Sequence, residues 1–109
     1  MQPQFDSGTV EGTGSAINVS LGWKPDYVKV FNQDNTNVAT LEYSSTMPDA
    51  AGFKYVNAGD MTLITSDGIS PYDGDDTTPA GFTIGADTDV NVSSETLHWV
   101  AMRKGPGGY

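Results

Sequence analysis

Apolar side chains recur in this chain at alternate positions, in short runs separated by Gly, Pro, Asn and Asp. In residues 16–21, Ile17, Val19 and Leu21 alternate with Ala16, Asn18 and Ser20, the two-residue period of a strand with one buried face. Gly22-Trp23-Lys24-Pro25-Asp26 breaks that run. Strands are expected next over residues 27–32 and 38–43. The Asn- and Asp-rich residues 33–37 between them predict a hairpin turn, because these side chains tolerate left-handed backbone. Residues 53–56 and 61–65 read as two more strands, joined by Asn57-Ala58-Gly59-Asp60. Residues 66–79, broken by Gly and Pro, are expected to form the longest loop. Strands at 81–85 and 89–92 follow, and residues 95–103 end the regular structure. In this last strand Leu97, Trp99 and Ala101 share one face, and Thr96, His98, Val100 and Met102 the other. Apolar groups on both faces place it inside a sheet. Pro48-Asp49-Ala50-Ala51 is the one candidate helical turn.

The two ends differ from this pattern. Residues 1–14 are rich in Gly, Ser, Thr and Gln, with Phe5 and Val10 as isolated apolar side chains. They read as a flexible N-terminal arm, or one that orders only against a neighbour, in which Phe5 and Val10 are the candidate contacts. Residues 105–109 are a glycine-rich tail, leaving 15–104 as the folded part. Seven or eight short strands at turn spacings of roughly 8–12 residues predict an all-β fold: a single antiparallel β-sandwich or jelly-roll-like domain.

Composition narrows the functions available. At 109 residues the chain suits one domain, burying roughly 65% of its unfolded surface. It has no cysteine, which excludes disulfides, thiolate metal sites and a cysteine nucleophile, and its single histidine excludes the common zinc constellations. Fourteen acidic residues against five Lys and Arg give a net charge of −9, unsuited to a phosphate backbone, so no nucleic-acid partner is expected. The start, Met1 to Asp6, lacks the basic and apolar regions of a signal peptide, and no apolar run approaches the roughly 18 residues of a spanning helix. No membrane partner is expected. Asn18-Val19-Ser20 and Asn91-Val92-Ser93 match the glycosylation sequon but are not expected to be modified without a secretion signal.

The candidate chemistry is sparse. Asp73-Gly74-Asp75-Asp76 and the alternating donors Asp87, Asp89 and Asn91 invite a calcium ion, which takes six to eight oxygens. The glycine and distal glutamate of a helix-loop-helix calcium loop are missing, so a solvated acidic turn is the preferred reading and no metal is assigned. Fourteen acids make some close carboxylate pair inevitable, which carries no weight for a glycosidase. His98 lacks a nucleophile elbow and reads as structural, and the glycines show no phosphate-binding pattern leading into a helix. No enzyme activity and no cofactor are expected. Among the aromatics, Phe31, Phe53, Phe82 and Trp99 read as core, and Trp23 as packing. Tyr72, in Pro71-Tyr72-Asp73-Gly74, reads as an aromatic at a loop tip, so Tyr72 and Asp73 form a candidate surface contact.

Two stretches carry a resemblance. Residues 22–32, GWKPDYVKVFN, resemble a "G-[aromatic]-K-P-x-x-V-x-[VI]-x-N" opening, and residues 81–101, GFTIGADTDVNVSSETLHWVA, look like the matching closing segment. Together they cover about 30 residues and are similar to small virion structural proteins of tailed bacteriophages, such as capsid decoration (cement) proteins and domains of head or tail fibres. The resemblance implies a protein that binds the outer surface of the major capsid shell and stabilises it, as a homotrimer, after synthesis in the host cytoplasm, with Phe5 and Val10 of the arm as capsid or intersubunit contacts. The acid excess suits the outside of a DNA-filled shell. The alternative it implies is a receptor- or glycan-binding module of a fibre, with residues 66–79 as its contact loop.

Overall fold

The structure is a computed structural model, and it describes residues 5–34, 38–56 and 59–103. These form eight strands: β1 (Phe5–Glu11), β2 (Ile17–Ser20), β3 (Tyr27–Asn32), β4 (Ala39–Ser44), β5 (Ala51–Val56), β6 (Met61–Tyr72), β7 (Gly81–Ile84) and β8 (Thr96–Met102). All belong to one sheet in the order β1-β8-β3-β4-β5-β6-β7-β2, and every neighbouring pair is antiparallel.

That order forces the sheet to curl. β1 and β2 are its two edges, yet only residues 12–16 join them. Eight strands laid flat would put the edges about 34 Å apart, at roughly 4.8 Å per strand. The connection reaches at most about 20 Å when fully extended. The sheet therefore coils into a nearly closed barrel, and the expectation of an antiparallel all-β domain is met in that form. Closure needs a glycine: a Cβ on Gly12 would lie 2.1 Å from the Val92 carbonyl oxygen, while Gly12 N–H donates to Glu95 O and its carbonyl accepts from Ser94 N–H.

The inward face is the alternate set the sequence marks. Val28 and Val30 of β3, Leu41 and Tyr43 of β4, and Leu97, Trp99 and Ala101 of β8 are all buried. Ile69, Phe82, Ile84 and Val90 complete the interior. Phe82 meets the Trp99 indole edge-on at 5.6 Å between centroids, a favoured aromatic geometry. Trp23 is buried at the barrel end, with the Arg103 guanidinium 5.3 Å above its ring, consistent with its reading as a packing residue. β8 lies between β1 and β3, inside the sheet as its two apolar faces suggest.

Several expectations need correction. Residues 5–11 are not part of an unpaired arm: they form β1, in register with β8 from Phe5↔Met102 to Glu11↔Thr96. The strand escapes notice because it is an edge with few apolar residues, and Gly8 faces Trp99, where a Cβ would meet the indole at 2.9 Å. Residues 66–72 are not loop but the second half of β6, which pairs with β7 through Ile69↔Ile84 to Tyr72↔Gly81. Pro71 is tolerated there because β5 reaches only Ile69, leaving that side of the strand open. Residues 89–92 are turns, since the Asp87 carboxylate accepts N–H bonds from Asp89 and Val90 and the Asp87 carbonyl accepts from Asn91 N–H. Finally, Phe53 and Phe31 fall on the outward phase of their strands, Phe53 exposed and Phe31 half-buried. The candidate helical turn at residues 48–51 is a β-turn, closed by Ala51 N–H donating to Pro48 O at 3.3 Å.

Candidate functional site

Of the alternating oxygen donors Asp87, Asp89 and Asn91, the first and the last are buried and spent on the fold. The Asp87 Oδ2 atom takes the Lys54 ammonium at 3.0 Å, and Asp89 takes it at 2.5 Å. A lysine of the protein thus occupies the position a cation would seek. Burial lowers the Lys54 pKa, but the hydrogen bonds to Asp89 and Asp87 outweigh it and hold the group above the ordinary lysine value. Asn91 points elsewhere. Its Oδ1 accepts from Thr13 N–H (2.9 Å) and Gly14 N–H (3.1 Å), and its Nδ2 donates to Ser15 O (2.6 Å) and Gly85 O (2.9 Å). Asp87, Asp89 and Asn91 therefore do not converge on one point. Asn91 buckles the segment that joins the two sheet edges. Among the described residues no three His, Cys, Asp or Glu side chains come together as a metal site.

Asn32 is the second buried amide. It donates to Val90 O (3.1 Å) and to Glu95 Oε1 (2.7 Å), tying β3 to the loop before β8. The sequence marks Asn91 only as an oxygen donor and gives neither amide its structural role, because buried and exposed asparagines look alike without the contacts.

Tyr72 and Asp73 sit where β6 ends, and the fold brings Lys24 to them. Asp73 pairs with Lys24 at 2.7 Å, both side chains being exposed. This contact holds the Lys24 pKa above its ordinary value. The Tyr72 hydroxyl donates to Asp75 Oδ2 at 3.0 Å, and Asp75 Oδ1 accepts from the Thr77 and Thr78 N–H groups. Those backbone bonds, first that of Thr77, depress the Asp75 carboxyl pKa. The loop after β6 is thus short and self-braced. Phe5 and Val10 lie on opposite faces of β1: Phe5 is exposed beside Met102, whereas Val10 packs against the core opposite Leu97. His98 stacks on Phe31 on the outer face, with centroids 5.6 Å apart and planes 17° from parallel.

Among the described residues, the largest cluster of exposed apolar groups lies on the β5–β6 hairpin. Phe53 faces Leu63 and Tyr55 faces Met61 across the ladder, so all four share the outward face. Their exposures are 41% and 42% for Phe53 and Tyr55, and 56% and 58% for Leu63 and Met61. Cross-strand pairs of this kind stabilise a hairpin, yet they leave an apolar surface in water. On the inward phase, Lys54, Val56, Thr62 and Ile64 line a shallow cavity of ≈ 220 Å³ with Asp60 and Asp89 at its rim. The sequence marks both strands but not this exposure, because alternation gives two phases and only the curl of the sheet chooses which is covered.

Fold and surfaces define an antiparallel, barrel-like β domain with an apolar outer hairpin face. No protein-family model, no curated protein and no solved structure matches the chain. No helix among the described residues is long and apolar enough to cross a membrane.

Proposed function

We propose that this chain is a phage capsid decoration protein that binds the outer surface of the major capsid shell and stabilises it. The observation that carries the proposal is the outward face of the β5–β6 hairpin, where Phe53, Tyr55, Met61 and Leu63 present two aromatics, a methionine and a leucine together. Aromatics and Met are the residue types enriched at the centres of protein–protein interfaces. The resemblance of residues 22–32 and 81–101 to small phage virion proteins supplies the partner, a capsid subunit, and the expectation of a homotrimer. On this reading the flattened barrel is a jelly-roll-like sandwich, with β6 passing around the corner at residues 65–68. The acidic surface keeps unassembled copies soluble. No cofactor takes part, and the protein resides on the outside of the virion.

The test is copy number and position. Quantitative mass spectrometry of purified particles should give hundreds of copies of the chain per virion, and Leu63→Asp should strip them from the shell. A handful of copies would overturn the proposal. The second reading, a glycan- or receptor-binding module of a fibre, is favoured by Tyr72, an aromatic held at a strand end by Asp75 beside the Lys24–Asp73 pair. It requires Tyr72→Ala to abolish adsorption to host cells, which the decoration reading does not.

A further inference from the structure

The hairpin face has an open edge as well as an apolar surface. β6 runs beside β5 through residues 61–64, but β7 joins it only from Ile69. Between these halves the register jumps: Gly52 faces Ile64 while the adjacent Ala51 faces Ile69. Residues 65–68 are thereby squeezed out of the β5 ladder, and β6 turns a corner at Asp67, whose φ is 61°. Before that corner, no described strand lies along the far side of residues 61–66. Alternate N–H and C=O groups there have no ladder partner, the feature natural sheets normally shorten, charge or cover.

The side chains of this edge are those a guest strand would use. Residues 61–65, Met-Thr-Leu-Ile-Thr, are uncharged and rich in strand formers. Met61 and Leu63 project to the apolar outer face. Charges bracket the segment: Asp60 precedes it and Asp67 follows it. Lys54, the sole cation of the hairpin, is already held by Asp87 and Asp89. The edge therefore presents an uncharged stretch of residues 61–65 about 17 Å long, at roughly 3.3 Å per residue, with a carboxylate beyond each end.

We propose that residues 61–66 accept an extended segment of a partner polypeptide as an added antiparallel strand, alternating apolar side chains flanked by Lys or Arg. This inference rests on the hairpin being the protein-contact surface and names the chemistry of its partner. A second copy fits worse. Pairing two β6 edges about Leu63 would set Asp60 of one copy opposite Ser66 of the other, one residue from Asp67, and would join two chains that each carry −9. A basic-flanked guest meets both carboxylates instead, and its backbone supplies the missing hydrogen bonds.

The probe is a short synthetic peptide of alternating valine and threonine with lysines at both ends, compared with a glutamate-ended version of the same length. Amide hydrogen exchange of the full chain is read by NMR. The lysine-ended peptide should slow exchange at alternate residues of 61–66 by about tenfold or more, with the effect weakening as salt is added, and the glutamate-ended peptide should not. Equal action of both peptides, no slowing with either, or protection that rises with protein concentration alone would overturn the proposal. Loss of particle binding by Leu63→Asp without any peptide effect would keep the contact surface and reject strand addition. Unaltered particle binding by that variant would reject the contact surface itself.

Discussion

Replacing Asn91 with alanine should open the barrel where it is closed by side-chain chemistry rather than by strand pairing. Asn91 is 2% exposed and makes four hydrogen bonds, two accepted from Thr13 and Gly14 N–H and two donated to Ser15 and Gly85 carbonyls. Each such bond contributes about 1 kcal/mol net, and a partner left buried and unpaired costs more. Thr13 and Ser15 lie at the surface and can turn to water, so part of the loss is recovered. A cost of about 3 kcal/mol results, a large share of the 5–15 kcal/mol or so typical of a domain. Urea unfolding followed by Trp fluorescence should show the midpoint fall with little change in slope. Amide exchange should quicken first in Thr13, Gly14 and the adjoining end of β1, because Asn91 accepts the Thr13 and Gly14 N–H groups directly. The control is Asn18→Ala, which removes one exposed bond from Thr83 Oγ1 and should cost less than about 0.5 kcal/mol. A cost below about 0.5 kcal/mol for Asn91→Ala, or unchanged exchange in β1, would refute the closure role.

Further outcomes follow from the same contacts. Lys54→Ala leaves the buried Asp87 carboxylate without its counter-ion and should destabilise by about 2–3 kcal/mol in chemical unfolding, whereas Lys24→Ala, which breaks an exposed pair with Asp73, should leave the midpoint unchanged. Burial, reinforced by its hydrogen bond to Glu42, pushes the Tyr27 pKa up to about 12 from the ordinary 10. The folded state thus holds this proton more tightly than the unfolded chain, so the contribution is intact below about pH 10 and is lost as pH rises towards 12. Phenolate absorbance should show a late-titrating tyrosine that Tyr27→Phe removes, and the same variant should flatten the fall in stability between those pH values. Ala50 holds a left-handed backbone with φ of 67°, so Ala50→Gly should raise the free energy of unfolding by about 0.5–1 kcal/mol. A loss of stability there would mean that the alanine methyl group makes a compensating contact.

Alternation anchored by β-branched and aromatic residues marks strands such as Val28-Lys29-Val30 and Leu97 to Ala101 from the chain alone, and the two apolar faces of β8 place it inside the sheet. These are local properties: period two and apolar content reveal a strand wherever one face is buried. Tertiary structure decided what periodicity cannot carry. β1 became a strand because β8 offers an edge and Gly8 fits against Trp99, not because its own residues demand it. The alternating Asp87, Asp89 and Asn91 became a turn because a distant lysine and the backbone of residues 13–15 claim their side chains. Phe53 and Leu63 became surface because the sheet curls away from them and closes its other face over the core. Long-range neighbours set all three outcomes, and the spacing of residues along one chain holds no record of which neighbours will arrive.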